Sequence, residues 1–174
     1  LLSKECDLIN RYSKVTLWCS DETRLGLHTI QRQRITLKGV KPVDIHKFNF
    51  QCFWLYGAVE PKEGRSFFYE FSHRDAACFN QYLSLLSQKF LTKLLIILLD
   101  NTPAHISEEV EISENIKLFF QPPDCPEVNA IERFWEYLKQ DLAWTLCESL
   151  DSLREKVDKI LRYLSQEIIG SLTG

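Results

Sequence analysis

Three acidic residues stand where local structure gives only ordinary reasons for them. Asp21 closes the alternating apolar and polar stretch 15–20, Asp100 closes the apolar run 94–99, and Glu132 falls in the first turn of a helix behind the Pro-rich segment 122–126. Carboxylates gathered at one point repel each other unless a cation lies between them, and hard oxygen ligands select magnesium or manganese. Two such ions, about 4 Å apart, clamp the attacking and leaving oxygens of a phosphodiester. Each acid also has a plainer reading. Asp21 and Asp100 suit turns at strand ends, and Asn129-Ala-Ile-Glu132 has the spacing of a capping box. Glu22 follows Asp21 directly, so its side chain belongs to the opposite strand face and is the weaker ligand candidate.

Bringing these acids together requires strands and helices in a particular order. The first strand, 15–20, runs into Asp21; an Arg-rich strand candidate covers 28–37; 48–59 and 66–71 follow, joined by the turn at 60–64. These predict an antiparallel meander. The period then changes to helical, with Ala76, Phe79, Tyr82, Leu83 and Leu86 on one stripe and Ser72 or Asp75 as a cap. The run 94–99 is apolar on both faces, as a central strand covered by helices requires. A short helix opens at Thr102-Pro103, a strand covers 116–120, and helices start at Asn129 and Ser149, the last reaching about Glu167. A mixed sheet with helices on both faces follows. In such sheets ligands gather beyond the carboxyl ends of parallel strands, which is where Asp21 and Asp100 would meet if their strands are parallel neighbours.

Composition narrows the classes. A chain of 174 residues with 45% hydrophobic and 26% charged residues is a single globular domain, neither disordered nor fibrous. Its six cysteines contain no Cys-x-x-Cys pair, so neither a disulfide framework nor a zinc site is expected. No signal peptide or membrane-length apolar run is present, which points to the cytoplasm. The absence of Met and the start at Leu1 suggest part of a longer protein. The formal charge of −3 excludes nucleic-acid binding by bulk charge. Charge is nonetheless uneven: residues 24–47 hold Arg24, Arg32, Arg34, Lys38, Lys41 and Lys47 against Asp44 alone, a local surplus that suits either a polyanion or a solvated face.

Three segments in order, Asp21-Glu-Thr-Arg-Leu-Gly-Leu, Asp100-Asn-Thr-Pro-Ala-His105 and Pro122-Pro-Asp-Cys-Pro-Glu-Val-Asn-Ala-Ile-Glu-Arg-Phe-Trp135, resemble the DDE transposases of the mariner superfamily, in particular its bacterial insertion-sequence branch. The Arg-rich stretch ending in Lys38-Gly-Val-Lys-Pro42 and the strand Leu55-Tyr-Gly-Ala-Val59 fit the same family, so the likeness covers about 15–145. The family usually has Pro where Ala130 stands.

The resemblance implies an α/β, RNase H-like fold: a mixed five-stranded sheet, three antiparallel strands then two parallel ones. It implies one catalytic domain over 1–174, with its core at 14–146 and a helical extension at 149–174; the family places a helix-turn-helix DNA-binding region ahead of that core, and with only the residues before Val15 preceding the first strand, that region is expected to be absent from this chain. Asp21, Asp100 and Glu132 become the catalytic, metal-holding acids for two Mg2+ or Mn2+ ions that cut a phosphodiester and let the freed 3′-hydroxyl attack target DNA. Asn101, His105 and Asn129 would support these acids or touch DNA, while Arg24, Arg32, Arg34, Lys38 and Lys41 would bind it. The expected partner is double-stranded DNA, at transposon ends and target, held by a homodimer in a bacterial cytoplasm and at the nucleoid when bound. A stand-alone nuclease or resolvase of the same fold, and an inactive remnant serving as an interaction module, are the competing readings.

Overall fold

The first strand does two jobs along its length. In the computed structural model, which describes residues 9–27, 51–122, 128–143 and 147–174, β1 (Lys14–Gly26) pairs in parallel with β4 (Lys93–Leu99), from Lys14 opposite Lys93 to Cys19 opposite Leu98. From Cys19 onward it pairs antiparallel with β2 (Cys52–Glu60), ending with Gly26 opposite Cys52. Asp21 therefore does not end the strand, as the sequence suggested. The β2 ladder carries β1 five residues past it, after the β4 partner has run out. The β2–β3 hairpin (β3, Arg65–Phe71) and the parallel edge strand β5 (Ile116–Phe120) complete the sheet, in the order β3-β2-β1-β4-β5. This is the expected five-stranded mixed sheet; the Arg-rich strand candidate at 28–37 lies outside the described residues.

Helices cover both faces. On one, α1 (Ala76–Lys89) sets Phe79, Tyr82, Leu83 and Leu86 against Trp18, Tyr56, Leu95 and Ile97. Its N-cap is Asp75, whose carboxylate accepts from the Cys78 amide at 2.8 Å and so satisfies an otherwise orphaned donor. The other face carries α3 (Ile131–Leu142), α4 (Leu150–Tyr163) and α5 (Gln166–Thr173), while α2 is the single turn Pro103–Ile106 between β4 and β5. In α3 the spacing of Ile131, Phe134, Trp135 and Leu138 puts all four side chains in the core with Cys19, Leu55 and Val59. Each contributes about 1.5–3 kcal/mol. The single helix expected from 149 to 167 is two, because Ser165 accepts from the Ile168 amide at 3.2 Å and starts a new helix after Leu164. That second helix rests on the β2–β3 turn at Gly64, where φ is 64° and any Cβ would overlap the Gln166 carbonyl. Among the described residues no helix is long and apolar enough to cross a membrane.

Candidate active site

Asp21 lies opposite Gly57 in the β1–β2 ladder, on the face that α3 covers. Its Oδ2 accepts a hydrogen bond from the Trp135 indole Nε1 at 3.0 Å. The indole reaches it because Gly57 has no side chain: a Cβ there would stand 2.6 Å from the Trp135 ring. Glycine inside a strand marks such a close approach. Extending the parallel register two residues past Cys19–Leu98 sets Asp100 beside Asp21. The loop after β4 turns there, with the Asp100 Oδ1 accepting from the Thr102 amide at 3.4 Å and facing His105 Nδ1 at 2.8 Å.

Glu132 arrives from α3. The helix begins at Ile131, with Ala130 at the N-cap and no side-chain capping bond, so the capping box read from the Asn129–Glu132 spacing is not made. Asn129 is instead buried and reaches across to β1, donating from Nδ2 to the Ser20 carbonyl at 3.0 Å while its Oδ1 accepts from the Ile131 amide at 3.4 Å. This bond fixes the start of α3, and with it Glu132, to the backbone one residue from Asp21.

The electrostatics agree with that convergence. The Asp21 carboxyl is pushed up to about 7, first by burial, then by Glu22 and Glu132 and, more weakly, Asp100, against a backbone hydrogen bond at Glu22 that lowers it. Burial also raises Glu132; Lys139 pulls it down while Asp100 and Glu136 push it up. Among the described residues neither Asp21 nor Glu132 has an ion-pair partner, and no three His, Cys, Asp or Glu side chains are already drawn together in a metal-binding cluster. Asp21, Asp100 and Glu132 are electrostatically coupled acids, short of a closed metal cage among the described residues.

The remaining candidates separate. Asn101 donates from Nδ2 to the Gln121 carbonyl at 3.0 Å, tying the loop after β4 to the end of β5. Arg24 is exposed late in β1, with Nε on the Cys52 sulfur at 3.1 Å. Arg32, Arg34, Lys38 and Lys41 lie outside the described residues. Two contributions were not read from sequence. Trp135 was assigned only to the apolar stripe, although the glycine within 55–59 was a signal that something approaches closely. Glu22 is buried on the far face, its Oε1 2.8 Å from His105 Nε2, and His105 is buried with it rather than lying on a helix surface. Burial opposes charging the His105 ring, but the bond to and charge of Glu22, then those of Asp100, outweigh it and raise the ring above its ordinary value.

Residues 16–154 match the family model described as DDE superfamily endonuclease, most of the chain and all three acids. The chain belongs to the DDE superfamily endonucleases. An uncharacterised protein y4pE/y4sA of Sinorhizobium fredii is 24% identical over 89 residues, 51% of this chain and 66% of that one. A pre-cleavage Mos1 transpososome superimposes with a TM-score of 0.74 at 14% identity, covering 99% of this chain and 54% of the Mos1 chain. The Mos1 strand transfer complex gives 0.73 at 15% identity, over 99% and 53%. The chain thus shares the RNase H-like fold of Mos1 and spans about half the length of the Mos1 chains.

Proposed function

We propose that this DDE endonuclease is the catalytic domain of a cut-and-paste transposase, with Asp21, Asp100 and Glu132 as its catalytic and metal-holding acids. The observation that carries the reading is the placement of Asp21 and Asp100 side by side at the β1–β4 switch, with Glu132 delivered to them by the Asn129–Ser20 bond. A divalent cation fits this donor set: three hard oxygen ligands, no paired cation on Asp21 or Glu132 among the described residues, and an Asp21 carboxyl raised to about 7 by burial and neighbouring acids. Mos1 complexes have been solved with Mn and with Mg, and with a transposon end; by that likeness the reading here is two Mg2+ or Mn2+ ions, double-stranded DNA as substrate, and a homodimer in the DNA complex. Such ions would act as Lewis acids at the scissile phosphodiester. The protein's own part is orientation. Trp135 aims Asp21, the loop after β4 aims Asp100, and Asn129 holds α3 where Glu132 can reach the same phosphate. Arg24, with Arg32, Arg34, Lys38 and Lys41, supplies the phosphate contacts. The bacterial insertion-sequence branch and a cytoplasmic, nucleoid-bound setting complete the reading, in keeping with the Sinorhizobium relative.

Calorimetric titration of Mn2+ into the wild type and Asp100→Ala, alongside nicking of supercoiled DNA, tests the site. Heat and nicking present in the wild type and lost in the variant are expected; equal heats in both would sink the assignment. Reversing Arg32 and Arg34 to Glu should weaken DNA binding and flatten its salt dependence by about two phosphate contacts.

A further inference from the structure

The loop that carries Asp100 is gripped from beneath by a buried relay outside the crevice. His105, the third residue of α2, presents Nε2 to Glu22 Oε1 at 2.8 Å and Nδ1 to Asp100 Oδ1 at 2.8 Å. The same Nδ1 lies 3.0 Å from Thr102 Oγ1 and 3.2 Å from the Asp100 carbonyl. Both ring nitrogens face carboxylate oxygens, so the ring serves as a donor on each side. The Phe79 ring packs against the imidazole at 4.5 Å between centroids and blocks it from turning. Glu22 comes from β1, opposite Tyr56 in the β2 ladder, so its backbone is held in the sheet. Among the described residues its buried Oε2 has no hydrogen-bond partner, so the carboxylate's bonding there is to His105. A buried carboxylate kept only for stability would have both oxygens satisfied.

We infer that Glu22 and His105 are positioning residues for Asp100: the Glu22–His105 pair holds one Asp100 carboxylate oxygen from behind and turns the other toward the crevice that Asp21 and Glu132 face. The carboxylate at a strand end otherwise rotates freely about its Cα–Cβ bond. The pair removes that freedom by linking it to a neighbouring strand. One strand therefore supplies both a metal-holding acid and, from its other face, the support for a second. Glu22 touches no substrate and no reacting atom. This inference rests on the reading of Asp100 as a metal ligand, and the test is built so that the two can fail separately.

Mn2+ binding, followed by calorimetry and by the Mn2+ electron-paramagnetic-resonance signal, is compared in the wild type, Asp21→Asn, Glu22→Gln and His105→Gly, with thermal unfolding of each metal-free chain as a control. Glu22→Gln preserves shape and should fold. Outer-shell partners of metal ligands typically govern about 10- to 100-fold in affinity, and a loss of that size is expected in Glu22→Gln. His105→Gly should lose as much and recover on addition of free imidazole, a rescue that a purely structural void would not give. Wild-type binding lost in Asp21→Asn but unchanged in Glu22→Gln and His105→Gly would overturn the positioning role alone. No Mn2+ binding by the wild type would overturn it together with the functional reading.

Discussion

Asp21 and Glu22 are consecutive residues of one strand, and the pleat sends them to opposite faces of the sheet. Both carry carboxylates and both are shielded from water, yet their surroundings differ in kind. Asp21 meets neutral donors, the Trp135 indole and the Glu22 backbone amide, and then other acids, Glu132 and Asp100 among them. Glu22 meets an imidazole at 2.8 Å and aromatic walls, and burial followed by its charge raises the Tyr56 hydroxyl above the ordinary phenol range. The first environment gives the half-buried Asp21 no ion-pair partner among the described residues; the second pairs the buried Glu22 with an imidazole. Position in the strand does not separate a chemical acid from a supporting one. What stands opposite does.

The largest effect expected from this contrast is a crossed pair of substitutions. Asp21→Asn should lower metal-dependent DNA nicking by at least about 100- to 1000-fold, the scale of losing one charge-stabilising group at the reacting centre, while leaving the metal-free chain folded. Glu22→Ala should cost about 3–5 kcal/mol of stability in urea unfolding, because the buried His105 loses the carboxylate at Nε2 and keeps only its Nδ1 partners at Asp100 and Thr102. Loss of stability in Asp21→Asn equal to that in Glu22→Ala would erase the distinction between the two faces.

The next effect is on pH. An acid whose folded value is raised binds its proton more tightly when folded, so the fold loses stability as pH rises from the ordinary carboxylate value of 3.8 to about 7, and the loss is complete above 7. Each pH unit in that window costs about 1.4 kcal/mol, a ceiling that solvent and salt at the crevice reduce. Asp21→Asn should flatten this slope, making the metal-free variant more stable than the wild type at pH 8 and no different at pH 4. Mn2+ should bind the wild type poorly below pH 6 and increasingly well above 7, since the ion must displace the Asp21 proton. A wild-type stability that climbs between pH 5 and 7 would contradict the raised acid.

Much of this arrangement was legible before any coordinates. The doubly apolar run ending at Asp100 gave a central strand, and the period change near Asp75 gave its covering helix, because burial dictates both patterns. The length of β1 was not legible. Residues 21–26 contain Asp, Glu, Thr, Arg and Gly, which read as a turn, and only pairing with the aromatic β2 holds them extended. The break between α4 and α5 hid in a continuous helical stripe, since Ser165 acts as a cap only once the chain turns back onto Gly64. The Glu22–His105 link spans 83 residues, and side-chain pairing at that separation leaves no local pattern.

A third prediction isolates the Asp21 face. Gly57→Ala puts a methyl carbon 2.6 Å from the Trp135 ring and 2.9 Å from Phe68, so the indole must retreat. Overpacking of this kind costs about 1–3 kcal/mol. Trp135 fluorescence should shift as the ring moves, metal affinity should fall, and the Glu22–His105 side should be untouched, which the chemical shifts of the His105 ring would report. An unmoved Trp135 spectrum with normal metal binding would show that the close approach matters little.

The smallest expected change is the most selective. Trp135→Phe keeps a large ring in the core but removes the indole donor on Asp21 Oδ2. A hydrogen bond to a charged group is worth about 1.5 kcal/mol or somewhat more, so Mn2+ affinity at pH 7 should drop about tenfold, and the pH at which binding sets in should move upward. The direction follows from the donor: the indole N–H favours the ionised carboxylate, and without it the proton is harder to displace. At pH 9, where Asp21 is ionised in either protein, the difference should shrink to what orientation alone contributes. A tenfold deficit that persists unchanged at pH 9 would mean the indole acts by aiming the carboxylate; a deficit that vanishes there would mean it acts by keeping Asp21 charged, a demand the imidazole already meets for Glu22 on the other face.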